Sequence, residues 1–159
     1  MVNVNIIAVG KLSEKFLTEG CNEYIKRLGG FCHVKMMEVE ETRLPTHAGE
    51  RLISAALEAE GARILAKAQR TAIVALCIEG ELCSSEQLSG RLERMAVEGT
   101  NTVSFCLGSS YGLAEAVKCE ARWQLSMSPM TFPHQLARLM LCEQLYRAGS
   151  ILSGGKYHK

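Results

Sequence analysis

The chain has 159 residues, of which 47% are apolar and 22% charged, with a formal net charge of +1. That length gives one domain, 1–159, with room for one sizeable core. The balance excludes a disordered chain, a collagen-like chain, a secreted mini-protein and a strongly basic nucleic-acid coat. No apolar run reaches the roughly 18 residues of a membrane span, and no cationic segment precedes an apolar stretch at Met1–Gly10. The seven cysteines are scattered and odd in number. Cys32, Cys77, Cys106 and Cys142 sit among apolar neighbours, and no Cys-x-x-Cys pair offers a metal site. A reduced cytoplasmic protein with no metal and no membrane partner is expected.

In chain order, Asn3–Val9 is a β-branched run closed by Gly10 and predicts a strand. Ser13 offers an N-cap to a helix carrying Phe16, Leu17, Cys21, Tyr24, Ile25 and Leu28 at helical spacing, ended by Gly29-Gly30. His33–Val39 reads as extended. After Pro45, the spacing predicts a helix from Gly49 to Ala68 with Leu52, Ile53, Ala56, Leu57, Ile64 and Leu65 inward. Thr71–Ile78 reads as a central strand covered on both faces, with Glu79-Gly80-Glu81 turning the chain. Ser84 and Gln87 form a capping box for a helix ending near Gly99. Thr102–Leu107 is a second buried strand, followed by the loop Gly108–Gly112. A short helix to Ala121 and a strand at Trp123–Ser126 come next. Pro133 opens a last helix to Ala148, and the tail from Gly149 to Lys159 looks loosely structured.

Alternating strands and helices imply an α/β fold, a mostly parallel sheet with helices on both faces. Ligands in such folds bind outside the carboxyl ends of the strands. The segments after Leu76, at Gly108–Gly112 and at Met127–Phe132 converge there. No Gly-x-Gly-x-x-Gly follows the first strand, and Gly149–Lys156 has the wrong spacing for a P-loop and follows a helix. A metalloprotease helix and a Gly-x-Ser-x-Gly elbow are absent.

The Gly108–Gly112 loop permits close backbone approach to a ligand, though a plain strand-to-helix turn has the same pattern. The stretch Leu125–Arg138 mixes prolines, hydroxyls and large apolar groups, as an adenosyl slot requires; a helix-entry loop is the alternative. On the last helix His134, Arg138, Leu141 and Leu145 share one side, and Leu136, Leu139, Met140, Glu143, Tyr146 and Arg147 the other. Two apolar sides imply a core face and a partner-subunit face. Glu143 and Arg147 read first as a structural i,i+4 pair. His134 and Arg138 stand at the helix start, where the dipole favours an anion, with a structural histidine as the alternative for His134. From His134 onward the cations Arg138, Arg147, Lys156 and Lys159 face one acid, Glu143, so an anionic partner is directed to this end.

The motifs Ala8-Val-Gly-Lys-Leu12, Gly61-x-Arg63-Ile-Leu-Ala, Leu107-Gly108, Gly112-Leu113, Met130-Thr-Phe-Pro-His134-Gln, Glu143-Gln-x-Tyr146-Arg147-Ala and Tyr157-His158-Lys159 resemble the RlmH family of SPOUT methyltransferases. The likeness runs the length of the chain. It implies a C-terminal trefoil knot, a rare exception to unknotted connectivity. It also implies a homodimer built through that region, with S-adenosylmethionine held by Leu76, Gly108 and the backbone of Met127, Ser128, Pro129, Met130, Thr131 and Phe132.

The substrate it implies is a pseudouridine of large-subunit ribosomal RNA, methylated at ring nitrogen-3 on assembled ribosomes. Because that imide nitrogen carries a proton at neutral pH, a base or an anion-stabilising group is needed. His134, Arg138 and His158 are the catalytic candidates, and Arg138, Tyr157, His158 and Lys159 the RNA-binding ones. One departure is Ser109, where the family usually has a second glycine; a required positive φ there would strain the loop. A ribosome-associated binding module with a vestigial pocket is the alternative from another class, and the missing glycine fingerprint disfavours a nucleotide-dependent oxidoreductase.

Overall fold

The computed structural model describes residues 1–158, so the expectation for Lys159 lies outside the described residues. Five strands and five helices alternate: β1 (Asn3–Val9), α1 (Lys15–Leu28), β2 (Val34–Val39), α2 (Glu50–Lys67), β3 (Ala72–Leu82), α3 (Ser85–Val97), β4 (Thr102–Leu107), α4 (Glu115–Glu120), β5 (Trp123–Ser126) and α5 (His134–Leu152). The sheet is parallel throughout, in the order β2-β1-β4-β3-β5. No helix among the described residues is long and apolar enough to cross a membrane.

Strand alternation divides the core in two. Val4, Ile6, Val103 and Phe105 point to one face, where they meet Cys21 and Leu28 of α1, Leu88 and Leu92 of α3, and Leu141 and Leu145 of α5. Ile7, Val9, Ala75 and Cys106 point to the other, against Ile64 of α2 and Val117 of α4. Sheets covered on both faces read as continuous apolar runs, as β4 does. Burial alone raises the Cys106 thiol to about 12, so it stays a neutral hydrophobe.

Several local expectations differ from the structure. Glu14, not Ser13, precedes α1; the Ser13 amide and hydroxyl instead bond the Gln135 side chain at the start of α5 (2.9 and 3.3 Å). Leu52 is exposed, while Glu60 and Gly61 are buried on α2. Glu79-Gly80-Glu81 does not turn the chain away. Leu125 pairs with both Leu76 and Glu81, so residues 77–80 form a bulge and β3 resumes along β5. Gly80 permits this because a Cβ there would lie 2.8 Å from the Gln124 backbone.

The last helix runs four residues past Ala148. Gly149 packs against the Phe31 ring, where a Cβ would come within 2.7 Å, so it serves close packing and not termination. Termination comes later: Gly154 takes φ +69°, and the Gly154 and Gly155 amides donate to Ile151 (3.0 Å) and Ser150 (2.8 Å). That is a Schellman ending.

The tail is also docked, contrary to the loose segment expected. The Tyr157 ring meets Tyr146 edge-on at 4.7 Å, and its hydroxyl lies 3.2 Å from Glu143 Oε1 and 3.3 Å from the Tyr24 hydroxyl. The bond with Tyr24 and burial raise the Tyr157 phenol above its ordinary value, so it stays protonated.

Candidate functional site

One cavity of about 1170 Å³ opens beside the β3 bulge and the carboxyl ends of β4 and β5. Its walls come from residues 76–79 at the β3 bulge, 107–116 at and beyond the end of β4, and 125–128 and 130–134 at and beyond the end of β5, with Ser54, Leu57 and Glu58 of α2 closing one side. Leu107 and Leu125 supply buried apolar surface, and the large exposed side chains of Ile78, Tyr111 and Met130 also line the space.

The β4–α4 loop is a tight turn. The Gly112 amide donates to the Ser109 carbonyl at 2.9 Å, and Gly112 takes φ +96°. Gly108 has no room for a side chain, since its Cβ would stand 1.9 Å from the Gly112 carbonyl oxygen. Ser109 is not in the positive-φ region, so the strain feared there does not arise. Its hydroxyl donates instead to the buried carboxylate of Glu60 at 3.0 Å.

The β5–α5 loop is held by its serines. The Ser126 hydroxyl bonds the Ser128 carbonyl at 3.2 Å, and the Ser128 hydroxyl accepts from the Met130 amide at 3.0 Å. The amides of Thr131 and Phe132 have no hydrogen-bond partner among the described residues, and both residues line the cavity. Unpaired backbone donors beside apolar walls form the chemistry that reads the edge of a heteroaromatic ring. Leu76, Gly108, Met127, Ser128, Met130, Thr131 and Phe132 thus share one space, and Pro129 stands outside its lining.

The catalytic and RNA-binding candidates separate. His134, the first residue of α5, lines the cavity. Arg138 does not reach it and is only 1% exposed. Its guanidinium pairs with Glu38 at 2.9 Å and donates to the carbonyls of Val9 (3.3 Å) and Gly10 (3.0 Å). All of these partners lie within the chain, so its guanidinium is turned inward, away from the surface. It ties the start of α5 to the carboxyl end of β1. Tyr157 and His158 are outside the cavity lining, and His158 pairs with Glu86 at 2.7 Å on the first turn of α3. The Ser84 hydroxyl, the backbone amide of Glu86 and the His158 ring together hold the Glu86 carboxyl down at about 2.

Sequence reasoning missed the α2 wall and Glu60. A carboxylate inside an apolar helix face was the available signal, next to Gly61.

The family described as "predicted SPOUT methyltransferase" matches residues 2–158. The ribosomal RNA large subunit methyltransferase H of Leuconostoc mesenteroides is 44% identical over 159 residues, 99% of this chain and all of that one. The same enzyme of Streptococcus thermophilus is 45% identical with the same coverage. A protein described as a probable methyltransferase from Bordetella pertussis Tohama I shares the fold, with TM-score 0.59 and 18% identity over 92% of this chain and 96% of its own. A methylase-family structure from Haemophilus influenzae Rd KW20 superposes with TM-score 0.58 and 12% identity over 99% of this chain and 71% of its own. The chain belongs to the SPOUT methyltransferase family, in the branch of ribosomal RNA large subunit methyltransferase H.

Proposed function

We propose that this chain is a single SPOUT domain that transfers a methyl group from S-adenosylmethionine to ring nitrogen-3 of a pseudouridine in large-subunit ribosomal RNA, acting on assembled ribosomes as a homodimer. The observation that carries the cofactor assignment is the cavity in which the β3 bulge and the loops after β4 and β5 present apolar walls and the unpaired amides of Thr131 and Phe132. Large-subunit ribosomal RNA as substrate follows the full-length relatives, while the pseudouridine, its nitrogen-3 and the assembled ribosome rest on the resemblance of the motifs.

S-adenosylmethionine supplies an electrophilic methyl on a sulfonium, so the protein has mainly to position donor and acceptor. Leu76, Gly108 and the Met127–Phe132 backbone hold the donor in this reading. The imide proton of the target base must leave for nitrogen-3 to accept the methyl. His134 takes that proton: it lines the cavity, and its ring has no hydrogen-bond or ion-pair partner among the described residues. Arg138 acts through structure, by fixing the helix that carries His134. Tyr157, His158 and Lys159 contact RNA, and each site draws residues from both subunits.

The knot and the dimer are part of this proposal. Leu136 and Met140, one turn apart on α5, are half-buried and belong to neither core cluster, which leaves an apolar strip for a second subunit. Light scattering at micromolar concentration is expected to give twice the 17.4 kDa chain mass; a stable particle of 17.4 kDa contradicts the dimer. The cofactor assignment is tested by calorimetry with S-adenosylhomocysteine. Saturable binding with one ligand per chain is expected, and absence of binding at millimolar ligand overturns the assignment.

A further inference from the structure

Glu60 is a buried carboxylate with no ion-pair partner among the described residues. Both its oxygens are used: Oε2 accepts from the Ser109 hydroxyl at 3.0 Å, and Oε1 accepts from the Thr42 amide at 2.9 Å. Burying a carboxylate is costly unless its acceptors are satisfied, and here the two bonds satisfy both oxygens. Its two donors come from loops at the ends of different strands, the one after β4 and the one after β2.

The neighbouring residues place it there. Gly61 brings α2 against the segment that starts α4, where a Cβ would lie 2.5 Å from that of Ala114. That closeness lets the Glu60 side chain reach Ser109. One turn on, Arg63 donates to the Glu40 carbonyl (2.9 Å) and the Thr42 hydroxyl (3.0 Å), holding the same β2 loop. The helix that carries this tie also presents Ser54, Leu57 and Glu58 to the cavity, and Ser109 itself lines it. The spacing between α2 and the β4 loop is therefore the width of the cavity on that side.

We propose that Glu60 is a positioning residue for the cofactor, acting through Ser109 to hold the Gly108–Gly112 loop at a fixed distance from α2. The inference rests on the reading that this cavity takes S-adenosylmethionine. It differs from a charge effect, because what the loops require is a group that accepts from Thr42 and pairs with the Ser109 hydroxyl. A glutamine does both, with its carbonyl oxygen toward Thr42 and its amide donating to the Ser109 oxygen.

Four proteins test it: wild type, Ser109→Ala, Glu60→Ala and Glu60→Gln, each read by amide hydrogen exchange without ligand and by S-adenosylhomocysteine affinity. Ser109→Ala and Glu60→Ala are expected to speed exchange across residues 108–112 and to weaken affinity about fivefold or more, the scale of one lost buried hydrogen bond. Glu60→Gln is expected to stay within about twofold of wild type in affinity. A purely structural role would lower melting temperature and leave the affinity of the folded protein unchanged. Unaltered loop exchange in Ser109→Ala overturns the tie, and Glu60→Gln binding as weakly as Glu60→Ala overturns the positioning account in favour of charge. A wild-type protein that binds no S-adenosylhomocysteine sinks the cofactor reading instead, and the exchange data still decide whether the tie exists.

Discussion

A chain cut after Lys156 is expected to bind S-adenosylhomocysteine within about twofold of the full-length protein, a difference of roughly 0.4 kcal/mol. Its rate of ribosome methylation should nevertheless fall at least about a hundredfold, or roughly 2.7 kcal/mol of transition-state stabilisation. The two effects separate because Tyr157 and His158 lie outside the lining of the cavity proposed for the cofactor. Their docking adds a stability cost to the truncation. Losing the Tyr146–Tyr157 contact and the hydroxyl bonds to Glu143 and Tyr24 should lower unfolding free energy by about 1–2 kcal/mol. Glu143 keeps its partner Arg147 (Nε–Oε1 3.1 Å), so no buried charge is stranded. A stacking ring, an imidazole and a cation form the set that grips an unstacked base and its phosphates. Near-full methylation by the truncated chain would mean that the tail only fastens α1 to α5 and that RNA is held elsewhere.

Gly108→Ala should weaken S-adenosylhomocysteine at least about thirtyfold, roughly 2 kcal/mol. The added Cβ meets the Gly112 carbonyl oxygen at 1.9 Å and its carbon at 2.3 Å, and backbone on that scale must move. The damage is a displaced loop, not a filled slot, because the collision is inside the β4–α4 turn itself. The core below is anchored by Phe105 and Cys106, so the variant should remain folded, with a small drop in melting temperature. Wild-type affinity in a folded Gly108→Ala protein would show that the loop does not bear on the ligand.

What the sequence disclosed was local. β1, β4 and β5 coincide with their predicted bounds: β1 and β4 are β-branched or apolar runs, and β5 alternates Trp123 and Leu125 with polar residues, each closed by a turn or loop. The Ser84–Gln87 capping box was equally legible, since both partners lie within one turn (2.8 and 3.2 Å). Two of the segments that line the cavity, after β4 and β5, were legible by the same logic, as the ends of strands in a parallel sheet.

The differences share a different cause. β3 continues past Gly80 because β5, forty residues on, gives it an edge to follow. Arg138 is buried because Glu38 and two carbonyls at the end of β1 receive it, and nothing near it in sequence announces them. The tail docks because Tyr24 and Glu143 stand where Tyr157 arrives. Glu60 resolves only once Thr42 and Ser109 are brought to it. Polar partners drawn from distant segments of the chain leave no periodic trace.

Methyl transfer to one base of large-subunit ribosomal RNA can be read directly by mass spectrometry of that RNA. Ribosomes lacking the modification are incubated with the purified protein and S-adenosylmethionine carrying a heavy-isotope methyl group. The large-subunit RNA is then digested, and its fragments and nucleosides are analysed. One heavy methyl per ribosome, on nitrogen-3 of a pseudouridine, is the expected result. No incorporation, or incorporation at another base or only into the small-subunit RNA, would contradict the account.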